Sequence, residues 1–389
     1  MRKLSVFIYL SLCMLATSAI ALTPQENVWS DSVIETEDDG IAVLIIPMHG
    51  QMHTDIQHEL YQSMVDRIKD ADPDLILIEL LSRDFKNEFH TLMGWDRSHG
   101  RRLNFNSYDA EDMVKIAEVF HLPLAEFPQV VWVEDSAGSS TVLALSWANL
   151  YMSDDAYLHS TYLSSDFNNI NAEDTRGKIR EFRMIHTKTL AEFAGRDHAL
   201  LRAFADPDVP LSGSWEGKDV VWADNTDGEL ILDKGVDYMP HLSATIAAEV
   251  SISKGNVTSR NDVLLSEGIR VYHLVGEDIT EELNAHPVKW RKDFLRAEKM
   301  LRDGEQYGGW ARGDDTAKYL RKQLAEYNKL VKLLEKSSAV AKSIGRKHRI
   351  SIKTLEQWIE EIEEQLEQLK NGGRGRGGGG GGPIGGGGG

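Results

Sequence analysis

The chain has 389 residues, enough for one large domain and an appendage, and its formal charge of −18 disfavours a nucleic-acid surface as its main partner. Its one cysteine, Cys13, lies in the first 21 residues, so a chain without that segment has no disulfide, thiolate metal site or cysteine nucleophile. After this segment, no run of the sequence approaches the roughly 18 consecutive apolar residues of a membrane-spanning helix.

The first 21 residues have the organisation of a secretory signal peptide. Arg2 and Lys3 give a basic start, an apolar run follows, and Ala19 and Ala21 occupy the small-residue positions of a cleavage site. Cleavage after Ala21 would make Leu22 the mature N-terminus. We therefore expect the protein to be secreted across the inner membrane, into the periplasm or the extracellular space.

The next segment predicts a βαβ unit. Residues 41–50 (IAVLIIPMHG) form a short, buried type of strand, residues 55–70 carry apolar groups at helical spacing, and residues 74–81 (DLILIELL) predict a second buried strand. Strand, helix and strand with short connections imply a parallel sheet and an α/β fold.

Strands and helices continue to alternate after an irregular, polar stretch at 84–107. The pattern predicts a helix at 109–120, a strand at 129–135, a helix at 140–150, a strand at 156–163, a long helix at 172–205, a β-hairpin over 218–233, and a capped helix, strand and helix over 258–283.

Residues 291–371 predict a helical hairpin or an oligomerising coiled coil, and hence a homo-oligomer. Two stripes of apolar residues recur at alternating steps of four and three, with Gly345 between them: Leu320, Leu324, Tyr327, Val331 and Leu334, then Ile352, Leu355, Ile359, Ile362, Leu366 and Leu369. Residues 372–389 are so rich in glycine that they cannot bury a core, and we expect a disordered tail.

Small residues cluster where the third strand leads into the next helix: Ser136, Gly138, Ser139 and Ser140. A sharp corner of this kind can expose a serine hydroxyl, and the first N–H groups of the helix can stabilise a developing oxyanion. By spacing alone, the same cluster also fits ordinary helix capping.

The order of these segments resembles the Clp-protease/crotonase-like superfamily, and most of all the NfeD-type proteases, also called the serine dehydrogenase proteinase family. The similarity covers residues 41–285. It rests on PQVVWVEDSAGSSTVLALSWANLYM (128–152), GKIREFRMIHTKTLAEFAGR (177–196) and GNVTSRNDVLLSEGIRVYHLVGEDITEEL (255–283). It implies a Clp/crotonase-like domain over residues 22–290, with a parallel β-sheet built of βαβ units and followed by the helical hairpin.

The resemblance also implies the catalytic serine. Matched residue by residue, it implies Ser139 as the nucleophile, with the amides of Gly138 and Ser140 binding the oxyanion. Because the strand side and the helix side of the corner give different matches, Ser136 and Ser140 remain alternative nucleophiles.

The general base has two candidates. The family's lysine matches Lys178, which lies near the start of the long helix. His159 is the alternative, because it lies on the strand after the corner, close to where the Clp proteolytic subunit places its triad histidine. One departure concerns the second strand, which in the family ends in a glycine-rich turn: LIELLSRDFKNEF has no glycine there, and Gly94 and Gly100 come only in the following insertion.

These features predict an exported serine endopeptidase that cleaves proteins or peptides, membrane-associated substrates included, through an acyl-enzyme and without a cofactor. The alternative is a non-catalytic relative that serves as an oligomeric peptide-binding or assembly scaffold. His49, His53 and His58 follow one another at intervals of four and five. Because Gly50 interrupts any helix there, we interpret them as polar loop and helix residues, and we predict no metal site.

Overall fold

The computed structural model describes residues 33–37, 39–82, 108–159, 172–206, 209–235 and 241–374. The predictions for the signal peptide, for residues 84–107 and for the tail after residue 374 therefore lie outside the described residues. Within the described ranges, every helix is too short or too polar to span a lipid bilayer.

The described strands form two sheets. In chain order they are β1 (Ile34–Glu35), β2 (Ile41–His49), β3 (Leu75–Ser82), β4 (Gln129–Ala137), β5 (Leu150–Ser153), β6 (Tyr157–His159), β7 (Leu211–Glu216), β8 (Asp219–Ala223), β9 (Leu230–Asp233), β10 (His241–Ser243), β11 (Gly255–Val257) and β12 (Val271–Leu274). The main sheet follows the order β1-β12-β2-β3-β4-β5-β11, with β6 pairing β4 and β10 pairing β6, and the small sheet has the order β8-β7-β9.

Helices cover the main sheet and continue beyond it. They are α1 (His58–Gln62), α2 (Val65–Ala71), α3 (Tyr108–His121), α4 (Ser139–Ala144), α5 (Glu173–Ala194), α6 (His198–Ala205), α7 (Ala244–Glu249), α8 (Arg260–Ser266), α9 (Glu277–Trp310), α10 (Thr316–Lys336), α11 (Ser338–His348) and α12 (Ile352–Arg374).

The βαβ prediction is confirmed. β2 and β3 pair in parallel from Val43 and Leu75 to His49 and Leu81, and β4 pairs in parallel with β3. Their aliphatic runs are almost wholly buried because helices cover the sheet, which is why these strands show continuous rather than alternating hydrophobicity. The helix predicted over 55–70 is two short helices, α1 and α2. A parallel sheet of βα units followed by C-terminal helices is consistent with the predicted Clp/crotonase-like fold.

Two predicted helices end earlier than expected. The helix predicted over 140–150 stops at Ala144, and the chain is already in β5 at Leu150. The long helix predicted over 172–205 is divided into α5 and α6 by Gly195, which adopts the left-handed conformation with φ 62°. A left-handed residue ends a helix by turning its last carbonyl groups towards other donors.

The predicted hairpin over 218–233 is wrong. β8 and β9 do not pair with each other, because β7 lies between them and pairs antiparallel with both. The pattern of two β-prone runs around a turn was correct, but the alternation of side chains cannot tell which third strand occupies the centre.

The C-terminal helices form a core of their own. Buried side chains of α9, such as Trp290 and Phe294, belong to the same apolar cluster as those of α10, α11 and α12. The two predicted apolar stripes lie on α10 and α12, which contact each other within the chain, as the 5.6 Å between the rings of Tyr327 and Trp358 illustrates. Gly345 lies inside α11 rather than at a joint, and α12 continues to Arg374.

Candidate active site at the carboxyl edge of the sheet

The parallel strands β2, β3 and β4 end side by side. The hydroxyl of Ser82, at the end of β3, donates a 2.8 Å hydrogen bond to the carbonyl oxygen of Gly50, and Ser82 pairs in register with Ser136 on β4. The carboxyl ends of parallel strands are the usual location of sites in open α/β sheets. The three candidate nucleophiles, Ser136, Ser139 and Ser140, all lie at this edge.

The corner between β4 and α4 depends on Gly138. Its φ of 77° and ψ of −130° belong to a region that residues with a Cβ atom rarely adopt. This conformation lets the chain reverse within one residue, so that α4 begins at Ser139. The corner is fixed on both sides: the Gly138 N–H donates to His159 O at 3.0 Å, and the Gly138 carbonyl accepts from Thr141 N at 3.1 Å.

The three candidate serines differ in their hydrogen bonds, although all are fully buried. Ser136 Oγ is 2.9 Å from Thr141 Oγ1, and Ser140 Oγ donates to Ala137 O at 3.0 Å. Ser139 Oγ is buried and has no hydrogen-bond partner among the described residues. A buried hydroxyl without a partner costs stability and therefore calls for an explanation, whereas Ser136 and Ser140 have the contacts of structural serines.

Two backbone amides at the corner can serve an oxyanion. The N–H groups of Ser139 and Ser140 begin a helix, and neither has an acceptor among the described residues. The N–H of Gly138 is already bonded to His159 O, so the oxyanion role predicted for Gly138 would require that bond to break. The predicted role of Ser140 is compatible with the structure as it stands.

Lys178 lies on the first turns of α5 and is exposed to solvent. It is not hydrogen-bonded to Ser139 Oγ. The start of α5 is held by Arg180, which is bonded to the buried Asp206 beyond the end of α6. The role of Lys178 as the base stays a prediction.

His159 lies directly beside the corner. It pairs in register with Ala137, and its ring is stacked 5.4 Å from that of Tyr157 and 5.9 Å from that of His241. Its Nε2 atom is buried but makes no hydrogen bond to Ser139 Oγ. The structure therefore places His159 near the candidate nucleophile without joining the two, and its role also stays a prediction.

His53, in the loop between β2 and α1, forms a polar pair with Asp112 on α3 that the sequence pattern does not predict. His53 is 2% exposed, has a positive φ of 77°, and its Nδ1 lies 2.8 Å from Asp112 Oδ2 on α3. Lys342 Nζ, on α11, lies 3.3 Å from the same oxygen. The pair could not be found by motif, because its members are 59 positions apart. His49 is not part of this pair. Its Nε2 lies 3.8 Å from Glu134 Oε1, and burial lowers the pKa of its imidazole.

Electrostatics keep Asp112 ionised. Burial raises the pKa of its carboxyl, but the hydrogen bond from His53 and the charge of Lys342 outweigh burial, so the pKa lies below the ordinary value. An ionised carboxylate only accepts hydrogen bonds, so His53 Nδ1 is the donor. In neutral His53 the lone pair is then on Nε2.

Among known proteins, the chain is similar only to solved structures that share little sequence with it. No protein-family model matches the chain, and no curated protein matches it. A structure of the membrane-bound stomatin-specific protease 1510-N in complex with a substrate peptide is 14% identical, covers 58% of this chain and 80% of its own, and has a TM-score of 0.36. A structure of this protease from Pyrococcus horikoshii is 13% identical, with coverages of 59% and 79% and a TM-score of 0.33.

A third similar structure is a peptidase from Plasmodium falciparum. It is 10% identical, covers 55% of this chain and 95% of its own, and has a TM-score of 0.31. Similarity at this level concerns the general course of the chain and not the identity of a site.

Proposed function

We propose that this chain is a serine peptidase in which Ser139 is the nucleophile. The observation that carries the proposal is the Ser139 hydroxyl, which is buried at the first residue of α4 and is the one candidate serine hydroxyl without a partner among the described residues. The neighbouring amides of Ser139 and Ser140 supply the second requirement, donors for an oxyanion.

The reaction would proceed through an acyl-enzyme. Ser139 Oγ attacks the carbonyl carbon of a peptide while its proton passes to a base, and the corner amides hold the carbonyl oxygen as it becomes negative. The amine then leaves with that proton, and water hydrolyses the ester. The resemblance to the serine dehydrogenase proteinase family supports Lys178 as the base, whose side chain would have to turn inward from solvent. The position of His159 beside the corner supports His159 as the alternative base.

A fluorophosphonate probe tests the nucleophile. We expect the full-length protein to be labelled at Ser139 and the Ser139→Ala variant to be unlabelled and inactive towards peptides. Ser140→Ala is the matched control, because Ser140 is equally buried but already hydrogen-bonded. Labelling at Ser136 or Ser140 in the wild type would show that the wrong serine has been chosen.

A second function has one observation in its favour. Ser139 Oγ is enclosed and Lys178 faces solvent, as expected of a relative that keeps the fold as a peptide-binding or assembly scaffold. Such a protein would bind peptides without cleaving them. Saturable peptide binding by a folded sample that neither labels nor hydrolyses would favour the scaffold over the peptidase.

We also propose that the protein is exported, because its first 21 residues have the features of a signal peptide. N-terminal sequencing of the protein from the exported fraction should begin at Leu22. A sequence beginning at Met1 would contradict this.

Self-association through the C-terminal helices is a separate proposal. Light scattering of the chain with and without residues 291–389 tests it.

A further inference from the structure

A cleft of about 340 Å³ lies at the amino edge of the main sheet, at the opposite end of β4 from Ser139. It is formed where helices end and strands begin, since α3 ends at His121 and β4 begins at Gln129. Its volume is within the range of roughly 300–1,000 Å³ that is usual for small-molecule sites. We call it the aromatic cleft, because four of the residues that line it have rings: His121, Phe127, Trp147 and Phe193.

The rings of the aromatic cleft are fixed by contacts with one another and with Gln129. The ring centroid of His121 is stacked 4.7 Å from that of Phe193 and lies 5.0 Å from that of Trp147. Trp147 Nε1 donates to Gln129 Oε1 at 2.8 Å, and Gln129 Nε2 donates to two backbone carbonyl oxygens. The polar atoms of Trp147 and Gln129 are therefore already bonded, and the cleft offers a ligand mainly the surfaces of its rings.

His121 adds a hydrogen-bond acceptor to the cleft. Burial lowers the pKa of its imidazole to about 4, so the ring is neutral near pH 7. Ser146 Oγ donates its only proton to Leu143 O at 2.7 Å, so it can only accept in its 3.5 Å contact with His121 Nε2. The hydrogen of the imidazole is then on Nε2 and the lone pair is on Nδ1. This Nδ1 has no hydrogen-bond partner among the described residues and is not closed off from solvent.

Asn149 supplies a second acceptor. Its Nδ2 donates to Gln129 O at 3.4 Å, which leaves Oδ1 without a partner among the described residues. Among the described residues that line the cleft, none is Asp, Glu, Lys or Arg. The cleft thus combines aromatic walls, two acceptors that await a donor, and no formal charge. A neutral aromatic ring that carries a hydrogen-bond donor matches all three properties.

We propose that the aromatic cleft binds a neutral aromatic ring with an N–H or O–H donor, which is the chemistry of indoles and phenols. The ring packs against Phe127, Trp147 and Phe193, and its donor bonds to His121 Nδ1. The cleft and Ser139 lie at opposite ends of β4, so this inference goes beyond the proposed function and does not require Ser139 to be a nucleophile.

Calorimetric titration of the full-length chain with indole and with benzothiophene tests the proposal. The two molecules have nearly the same shape, but benzothiophene has sulfur in place of the N–H and therefore lacks the donor. We expect both to bind saturably and indole to bind about tenfold more tightly, which is the effect of one hydrogen bond. His121→Phe keeps an aromatic ring but loses Nδ1, so in this variant indole should bind no more tightly than benzothiophene.

A second variant locates the binding. Ala148 lines the cleft and is exposed, so Ala148→Trp should fill the space and abolish binding of both molecules. Leu122→Ala is the matched control, because Leu122 is exposed next to His121 but does not line the cleft, and it should bind indole as the wild type does. N-acetyltryptophanamide separates the two sources of such a ring: tighter binding than indole indicates a peptide side chain, and weaker binding indicates a free ligand.

Three results would overturn the inference: no saturable binding of indole, equal binding of indole and benzothiophene by the wild type, or a preference for indole that persists in His121→Phe. Undiminished binding by Ala148→Trp would place the ligand elsewhere and overturn it as well. Fluorophosphonate labelling of Ser139 reports on the proposed function separately, so the failure of one does not imply the failure of the other.

Discussion

Two buried polar groups in turns at the same edge of the sheet, the Asp55 carboxylate and the Ser139 hydroxyl, differ in their hydrogen bonds. The β2–α1 loop (residues 50–57) buries the carboxylate of Asp55, which accepts hydrogen bonds from Trp290 Nε1 and Arg291 Nη2, each at 2.8 Å. The β4–α4 corner (residues 136–141) buries the hydroxyl of Ser139, which has no partner among the described residues. The Asp55 carboxylate therefore ties its loop to the C-terminal helices, whereas the Ser139 hydroxyl ties the corner to no other segment.

The difference shows how stability and reactivity can be divided between neighbouring segments. A fully bonded buried carboxylate fixes a loop, and its removal leaves donors without an acceptor. An unbonded buried hydroxyl costs stability but stays available to a substrate. Proteins commonly break such local rules at functional sites and recover the lost stability elsewhere. Here the contact between the loop and α9 is a source of that compensation.

The largest expected effect comes from removing the loop's carboxylate. Asp55→Ala leaves the donors of Trp290 and Arg291 without their acceptor, and we expect the free energy of unfolding to fall by about 3 kcal/mol. Urea denaturation measures the change. Asp66→Ala is the control, because Asp66 is exposed on α2, and its effect should stay within about 0.5 kcal/mol. Equal effects of the two variants would show that the contact with α9 does not stabilise the loop.

The corner should be most sensitive at Gly138. A Cβ atom is strained at its φ and ψ, so Gly138→Ala should lower the free energy of unfolding by about 1–3 kcal/mol and abolish labelling of Ser139. Gly195→Ala introduces the same methyl group at another positive φ, with no atom within 4 Å of the new Cβ. It should cost about 1–2 kcal/mol and leave labelling intact. Loss of labelling in both variants would point to general destabilisation rather than to the corner.

The two buried serines should respond to alanine with opposite signs. Ser136→Ala removes a hydroxyl bonded to Thr141 and should cost about 1 kcal/mol in unfolding free energy. Ser139→Ala removes a buried hydroxyl without a partner and should leave stability unchanged or raise it by about 1 kcal/mol. Thermal and urea unfolding at one pH measure both changes. A clear loss of stability in Ser139→Ala would mean that its hydroxyl makes a structural bond.

The smallest effect is expected at the opposite, amino edge of the sheet. His121 is stacked 4.7 Å from Phe193, and burial lowers the pKa of His121 to about 4. Because the unfolded chain binds this proton near pH 6.5 and the folded chain only near pH 4, stability should decline as the pH falls between those values. His121→Phe should flatten the decline by on the order of 1 kcal/mol. An unchanged pH dependence would assign the decline to other groups, such as His49 and His286, whose pKa values burial also lowers.

Local pattern predicted the central part of the fold and the position of the corner. The aliphatic runs of β2 and β3, with helical spacing between them, were enough for a parallel βαβ unit, because periodicity follows directly from backbone geometry. The cluster around Gly138 was enough to predict a strand-to-helix corner. Pattern did not predict that Gly195 divides the long helix, because a glycine inside a helical pattern can be either tolerated or terminal.

The sequence by itself determined the parallel sheet, the corner and the apolar stripes of the C-terminal helices, since each depends on residues close together in the chain. Only the tertiary structure decided which of three buried serines lacks a partner, which strand lies between β8 and β9, and that His53 meets Asp112. It also brought Asp55 to Arg291, 236 positions away. The reason is physical: contacts between distant residues depend on how whole elements pack, and local hydrophobic periodicity carries no record of that packing.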